Sequence, residues 1–224
     1  MIRLIVFDVN GILYSSKEAK EYFSSAYFAF MKRHNVDERE RDELWDGLLP
    51  LIKTGRLTLN EARKQLLEKL GLDKKCIEEY NAIDDESYKR VKLMEPDEPF
   101  VFEKLKEKGC ALAALSDSLH PSERIRKELN FVGLGNIIEK VFATNELGHP
   151  KPEKAAYDAV LDFFNAKPSE TIFVGHDDDE MEGAKRLGII AVSYSGSKKG
   201  DFLINSFPEL IAIIDKLLER SKEH

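Results

Sequence analysis

The sequence predicts an α/β fold: a doubly wound parallel sheet with a helical segment inserted after its first strand. Two observations carry that expectation. From about residue 96 onward, short apolar runs alternate with amphipathic stretches of about ten residues, the pattern of a parallel sheet with helices on both faces. Between residues 15 and 95, strand-like runs are almost absent and one amphipathic stretch follows another. The expected organisation is therefore a core made of residues 1–14 and 96–224, and a helical unit of residues 15–95.

In chain order, Ile2–Phe7 is a β-branched apolar run that stops at Asp8-Val9-Asn10-Gly11, a buried strand ending in turn chemistry. Ala19–Arg33, Glu38–Ile52, Leu59–Leu70 and Cys76–Val91 have helical spacing. Asn60 and Asp73 serve as starts, Gly55 and Gly71 as stops. The aromatics Tyr22, Phe23, Tyr27, Phe28, Phe30 and Trp45 fall at positions that fit the core of this bundle, and the same spacing would also let some of them face a substrate cleft. Pro96 and Pro99 mark the return to the core. Strands are then expected at Cys110–Leu115, Val141–Ala143, Thr171–Val174 and Ile189–Val192. Helices are expected at Pro99–Lys108, Ser122–Leu129, Glu153–Phe164, Met181–Leu187 and Pro208–Leu218.

Composition narrows the function classes. With 224 residues, 42% of them apolar, the chain builds a core without covalent staples. Two cysteines, Cys76 and Cys110, make neither a disulfide framework nor a zinc site and fit a reducing compartment. No secretory leader precedes Asp8, and no apolar run approaches ~18 residues, so a cytoplasmic protein without a membrane partner is expected. The net charge of −7, with no basic stripe, disfavours nucleic acid as a partner.

Ligands of open parallel sheets bind outside the carboxyl ends of the strands. That rule selects the loops beginning at Asp8, Ser116, Asn145 and Gly175. They bring Asp8 and Asn10, then Ser116, Asp117 and Ser118, then His149 and Lys151, then His176 through Glu180 to one rim. A carboxylate, a hydroxyl, a lysine and an acidic cluster suit an anionic substrate. They fit either a divalent cation or a carboxylate nucleophile held by the lysine.

Four segments, FDVNGIL, LAALSDS, GHPKPEKAAYDAV and IFVGHDDDEMEGAKRLGIIAV, stand in order at these strand ends. Together they resemble the four motifs of the haloacid dehalogenase-like hydrolases, and the helical insertion matches the place of that family's cap. The closing DFLINSFPEL resembles its last strand and helix. The resemblance implies Asp8 as nucleophile, forming an aspartyl-phosphate, and Ser116 as hydrogen-bond donor to a phosphoryl oxygen. Lys151 would offset the charge of both. Gly11 and Asp117 would join Ser116 and Lys151 in binding substrate. A divalent cation, magnesium or a transition metal such as manganese, would sit on Asp8, Asn10, His176 and Asp177.

Two positions depart from the phosphatase pattern. Asn10 stands where a second aspartate serves as general acid and base, and an amide does not exchange a proton at neutral pH. His176 stands where the fourth motif has a metal-binding aspartate, with Glu180 four places on; an imidazole there shifts preference away from magnesium. Three histidines, His120, His149 and His176, lie in three rim loops, where one could supply the missing proton or join a transition-metal site, or all three simply reflect the polarity of loops. The expected function is a metal-dependent phosphatase acting on a small phosphorylated metabolite, weakened by Asn10. The alternatives are a metal-free 2-haloacid dehalogenase-like hydrolase and a non-catalytic binding protein on the same scaffold.

Overall fold

The computed structural model describes residues 1–220, so the last four residues of the expected 96–224 segment lie outside the described ones. Six parallel strands form one sheet: β1 (Leu4–Phe7), β2 (Ala111–Ser116), β3 (Lys140–Ala143), β4 (Thr171–Gly175), β5 (Ile190–Tyr194) and β6 (Phe202–Ile204). Their spatial order is β3-β2-β1-β4-β5-β6. All four residues of β1 are buried, as befits a strand flanked on both sides.

Alternation along β1 assigns the two faces. Ile5 and Phe7 join a core with Val101, Phe102 and Leu105 of α5 (Glu98–Glu107), Ile125 and Leu129 of α6 (Ser122–Phe131), and Leu210 and Ile214 of α10 (Pro208–Arg220). Leu4 and Val6 point the other way, onto Tyr157, Val160 and Leu161 of α8 (Lys154–Phe164) and Met181 and Ala184 of α9 (Asp178–Arg186). A four-residue helix, α7 (Thr144–Leu147), follows β3.

Between β1 and α5 the chain forms α1 (Lys17–Arg33), α2 (Glu38–Lys53), α3 (Leu59–Lys69) and α4 (Lys74–Ser87), with a 3₁₀ turn at Tyr88–Arg90. The outgoing and returning segments pair where Ser15 and Lys92 exchange backbone hydrogen bonds of 2.7 and 3.1 Å. Asp73 caps α4 through Cys76 N–H as expected, but α3 starts at Thr58, not Asn60. There Thr58 and Glu61 form a reciprocal capping box, which satisfies two backbone donors where Asn60 would satisfy one. The fourth expected helix ends early, at Ser87, and tightens into the 3₁₀ turn.

The insertion has two small cores of its own, Phe30, Met31, Leu67, Cys76 and Tyr80 in one, and Leu48, Ile52, Leu59, Ala62 and Leu66 in the other. Its helices sit directly on the sheet's rim. At Gly55, whose φ is +68°, a Cβ would lie 2.3 Å from the Asn145 carbonyl oxygen, so only glycine permits this approach. Phe28 is exposed, contrary to its expected place in the bundle core. Its ring packs near the Arg41 guanidinium, 5.8 Å from the ring centroid.

Candidate active site

The strand order reverses between β1 and β4, and ligands of such sheets bind in the crevice at that switch. Phe7 and Val174 are register partners, so Asp8 and the Gly175-His176 turn leave the sheet side by side. Above them lies a cavity of about 590 Å³, walled on one side by these strand ends and on the other by the insertion.

Lys151 Nζ lies 2.5 Å from Asp8 Oδ1 and 2.9 Å from Glu180 Oε1. Its ammonium is completely buried, and its backbone N–H donates to Asp117 Oδ1 at 3.1 Å, which fixes the loop that carries it. Burial alone would lower the Lys151 pKa, but Asp8, Glu180 and Asp117 outweigh it and hold the group above the usual lysine value. Burial pushes the Glu180 carboxyl up, and Asp8 pushes it further, while Lys151 pulls it back down. Ser116, at the end of β2, is buried and lines the same cavity.

Gly11, three residues after Asp8, has a φ of +84°, and a Cβ there would press to 3.1 Å against His176 Cε1. The glycine thus clears space for the imidazole, whose Nδ1 stands 3.9 Å from Asp8 Oδ2. Asn10 is a fastener: its side-chain oxygen accepts from the Ser16 backbone N–H and hydroxyl, at 3.2 and 2.5 Å, tying the loop to the start of α1. Asp177 caps α9, accepting from the Asp179 and Glu180 N–H groups at 2.9 and 3.4 Å.

Within the expected metal set, Asp8 and His176 face one another; the Asn10 side chain accepts from Ser16, so a cation contact there would be through its backbone carbonyl, and Asp177 caps its helix. Among the described residues, no group of three or more His, Cys, Asp or Glu side chains is arranged to hold a metal ion. One carboxylate oxygen and one imidazole nitrogen match the donors of manganese or zinc better than magnesium's all-oxygen shell.

The three rim histidines have different surroundings. His149 pairs with Glu153 at 2.9 Å on the exposed surface and does not line the cavity. His120 lines it but sits by Asp84, at 3.7 Å, and burial lowers its pKa to about 4, leaving it neutral. Only His176 adjoins Asp8.

Several cavity residues were not among those the sequence singled out for chemistry. Arg63 of α3, Asp84 of α4 and Arg124 of α6 meet in a buried cluster. Trp45 and Phe23, expected in the bundle core, face the cavity as well. A helical repeat reports that a face is covered, and it does not distinguish packing from a ligand-binding wall.

The model of the haloacid dehalogenase-like hydrolases matches residues 2–188. The chain belongs to that hydrolase family. It is 26% identical over 206 residues to the glyceraldehyde 3-phosphate phosphatase of Methanopyrus kandleri, covering 90% of this chain and 87% of that one. It is also 26% identical over 225 residues to the phosphoglycolate phosphatase of Aquifex aeolicus, covering 96% and 97%. A 2-haloacid dehalogenase from Pseudomonas syringae pv. Tomato shares the fold at a TM-score of 0.76 and 17% identity, over 97% of this hydrolase and all of that chain. The hydrolase is thus similar in sequence to phosphatases, and its fold is shared by dehalogenases and phosphatases alike.

Proposed function

We propose that this hydrolase is a phosphatase that cleaves small phosphorylated metabolites through an aspartyl-phosphate on Asp8. The observation that carries the reading is the buried Lys151 ammonium 2.5 Å from the carboxylate of Asp8, which lines a cavity that the insertion covers. Here the insertion, residues 15–95, acts as a cap that keeps bulk water from the reacting centre.

Lys151 engages Oδ1 of Asp8 and leaves Oδ2 as the attacking oxygen. Oδ2 bonds to phosphorus as the ester P–O bond breaks, and the leaving oxygen takes its electron pair and a proton from water. The Lys151 charge, already in place, stabilises the negative charge spread over the phosphoryl oxygens without reorganisation. Ser116 donates a hydrogen bond to one of those oxygens. Water then attacks phosphorus, releases inorganic phosphate and restores the Asp8 carboxylate. A divalent cation held by Asp8 and His176 would supply further positive charge beside the phosphoryl group.

Because Asn10 supplies no proton, departure of an alkoxide is slow, and acyl or aryl phosphates turn over faster than alkyl esters. The same residue favours a second reading, hydrolysis of a carbon–halogen bond, since halide leaves without a proton. A substrate panel with and without EDTA separates the two. The phosphatase reading expects hydrolysis of an aryl phosphate that is abolished by EDTA, restored by manganese, and absent in Asp8→Asn. EDTA-resistant release of chloride from 2-chloropropionate, with aryl phosphate untouched, would overturn it.

A further inference from the structure

Building on the phosphatase reading, we infer that the site takes phosphate esters whose non-reacting part is uncharged and hydroxyl-bearing. The Arg63–Asp84–Arg124 cluster sets that choice against carboxylate-bearing esters. The cluster forms part of the wall of the Asp8 cavity and also borders a second cavity of about 600 Å³. It is therefore the polar surface that the part of a substrate remote from phosphorus meets.

Its charges are already matched. Arg63 Nη1 and Arg124 Nη1 both donate to Asp84 Oδ2, at 2.9 and 3.1 Å. Arg124 Nη2 donates to the Asp84 carbonyl at 2.8 Å and to Ser87 Oγ at 3.3 Å, and its Nε to Glu128 Oε1 at 3.1 Å. Glu128 in turn accepts from the Tyr14 hydroxyl. Two guanidinium groups thus face two carboxylates, and the exposed Asp85 adds a third contact to Arg124 at 3.4 Å. His120 beside Asp84 carries no charge at neutral pH.

What the wall leaves over is a donor and an acceptor. Arg63 Nε is buried without a hydrogen-bond partner, and Asp84 Oδ1 has the His120 ring nitrogen at 3.7 Å. A hydroxyl both donates and accepts and so suits a wall that carries both guanidinium donors and carboxylate acceptors, whereas a carboxylate only accepts. A carboxylate here would also face Asp84 with no guanidinium to spare, which is the penalised case of a buried charge without a partner. The floor offers no relief, because Lys151 already lies between Asp8 and Glu180. Lys20, the remaining cation of the lining, is exposed, where solvent and salt screen it.

The test is kcat/KM for glycerol 1-phosphate and ribitol 5-phosphate against phosphoglycolate and 3-phosphoglycerate, in the native protein and in Asp84→Asn, with an aryl phosphate as reference. The native protein is expected to favour the polyol esters by at least tenfold. Asp84→Asn, which frees two guanidinium groups, is expected to narrow that ratio by tenfold or more through a lower KM for the carboxylates. Arg63→Gln, which removes a cation, is expected to widen it. A native protein that hydrolyses the aryl phosphate but prefers or equals the carboxylate esters overturns this inference alone, whether or not the variants fold. A ratio unmoved in a folded Asp84→Asn overturns the role of the cluster. Failure on every phosphate, the aryl reference included, overturns the phosphatase reading and this inference with it.

Discussion

The floor and the opposite wall of one cavity are both built from buried charges, yet they balance them differently. On the floor, two carboxyl groups, Asp8 and Glu180, share a single buried ammonium, Lys151, and the Asp117 side chain accepts from the Lys151 backbone N–H, so acidic groups outnumber cations. On the wall, Arg63 and Arg124 are matched by Asp84 and Glu128. An unbalanced cluster is poised to change its bonding partners, and a balanced one resists doing so. The floor therefore suits chemistry, and the wall suits recognition and holding the insertion to the core.

The sharpest way to break this contrast is to unbalance the wall. Asp84→Ala leaves two buried guanidinium groups without their shared carboxylate and is expected to cost ~3–5 kcal/mol, the usual penalty for breaking a buried pair. Lys92→Ala removes an exposed partner of Glu18 and is expected to cost only a small fraction of that. Urea denaturation of both variants checks it. Equal losses would mean that the wall does not bind the insertion to the core.

A gain is expected on the floor. Asn10→Asp keeps both acceptor bonds from Ser16 and places an acid two residues from Asp8, so turnover of alkyl phosphates should rise about 10- to 100-fold. Steady-state kinetics on an alkyl and an aryl ester measure it, with the aryl ester gaining less. An unchanged alkyl rate would show that the proton is not what limits the reaction.

A third expected effect is a pH dependence of stability carried by His120. Burial lowers its folded pKa to about 4, below the ordinary ~6.5 of the unfolded chain. Below pH ~6.5 the unfolded state binds more protons than the folded one, so stability falls from there down to about pH 4. His120→Gln should flatten that part of the profile and leave the region above pH ~7 unchanged. Chemical denaturation at a series of pH values reads the slope.

The floor was legible in the sequence and the wall was not, for one physical reason. A buried parallel strand shows itself as an apolar run, and the residue after it falls at the rim, so Asp8 and Ser116 follow from counting. Lys151 and His176 follow in the same way from the third and fourth loops. The exchange of partners that makes Asn10 a fastener and Asp177 a cap depends on neighbours two to six residues away, which short-range patterns report poorly. Asp84 meets Arg63 across 21 residues and Arg124 across 40, between helices whose rotation no periodicity fixes. Trp45 and Phe23 show the same limit: helical spacing placed them on a covered face and did not reveal that a cavity covers it. Glu180 was within reach, since a residue in the first turn of α9 faces back toward the strand end, but its bond to Lys151 needed coordinates.

The proposed catalysis turns on the bond between Asp8 and phosphorus. Incubation with acetyl phosphate and manganese, acid quench and peptide mass mapping test it directly. The expected result is one phosphoryl group on the peptide that contains Asp8, lost on treatment with hydroxylamine and absent from Asp8→Asn. Turnover of phosphate esters with no such adduct under rapid quench, or retained by Asp8→Asn, would contradict it.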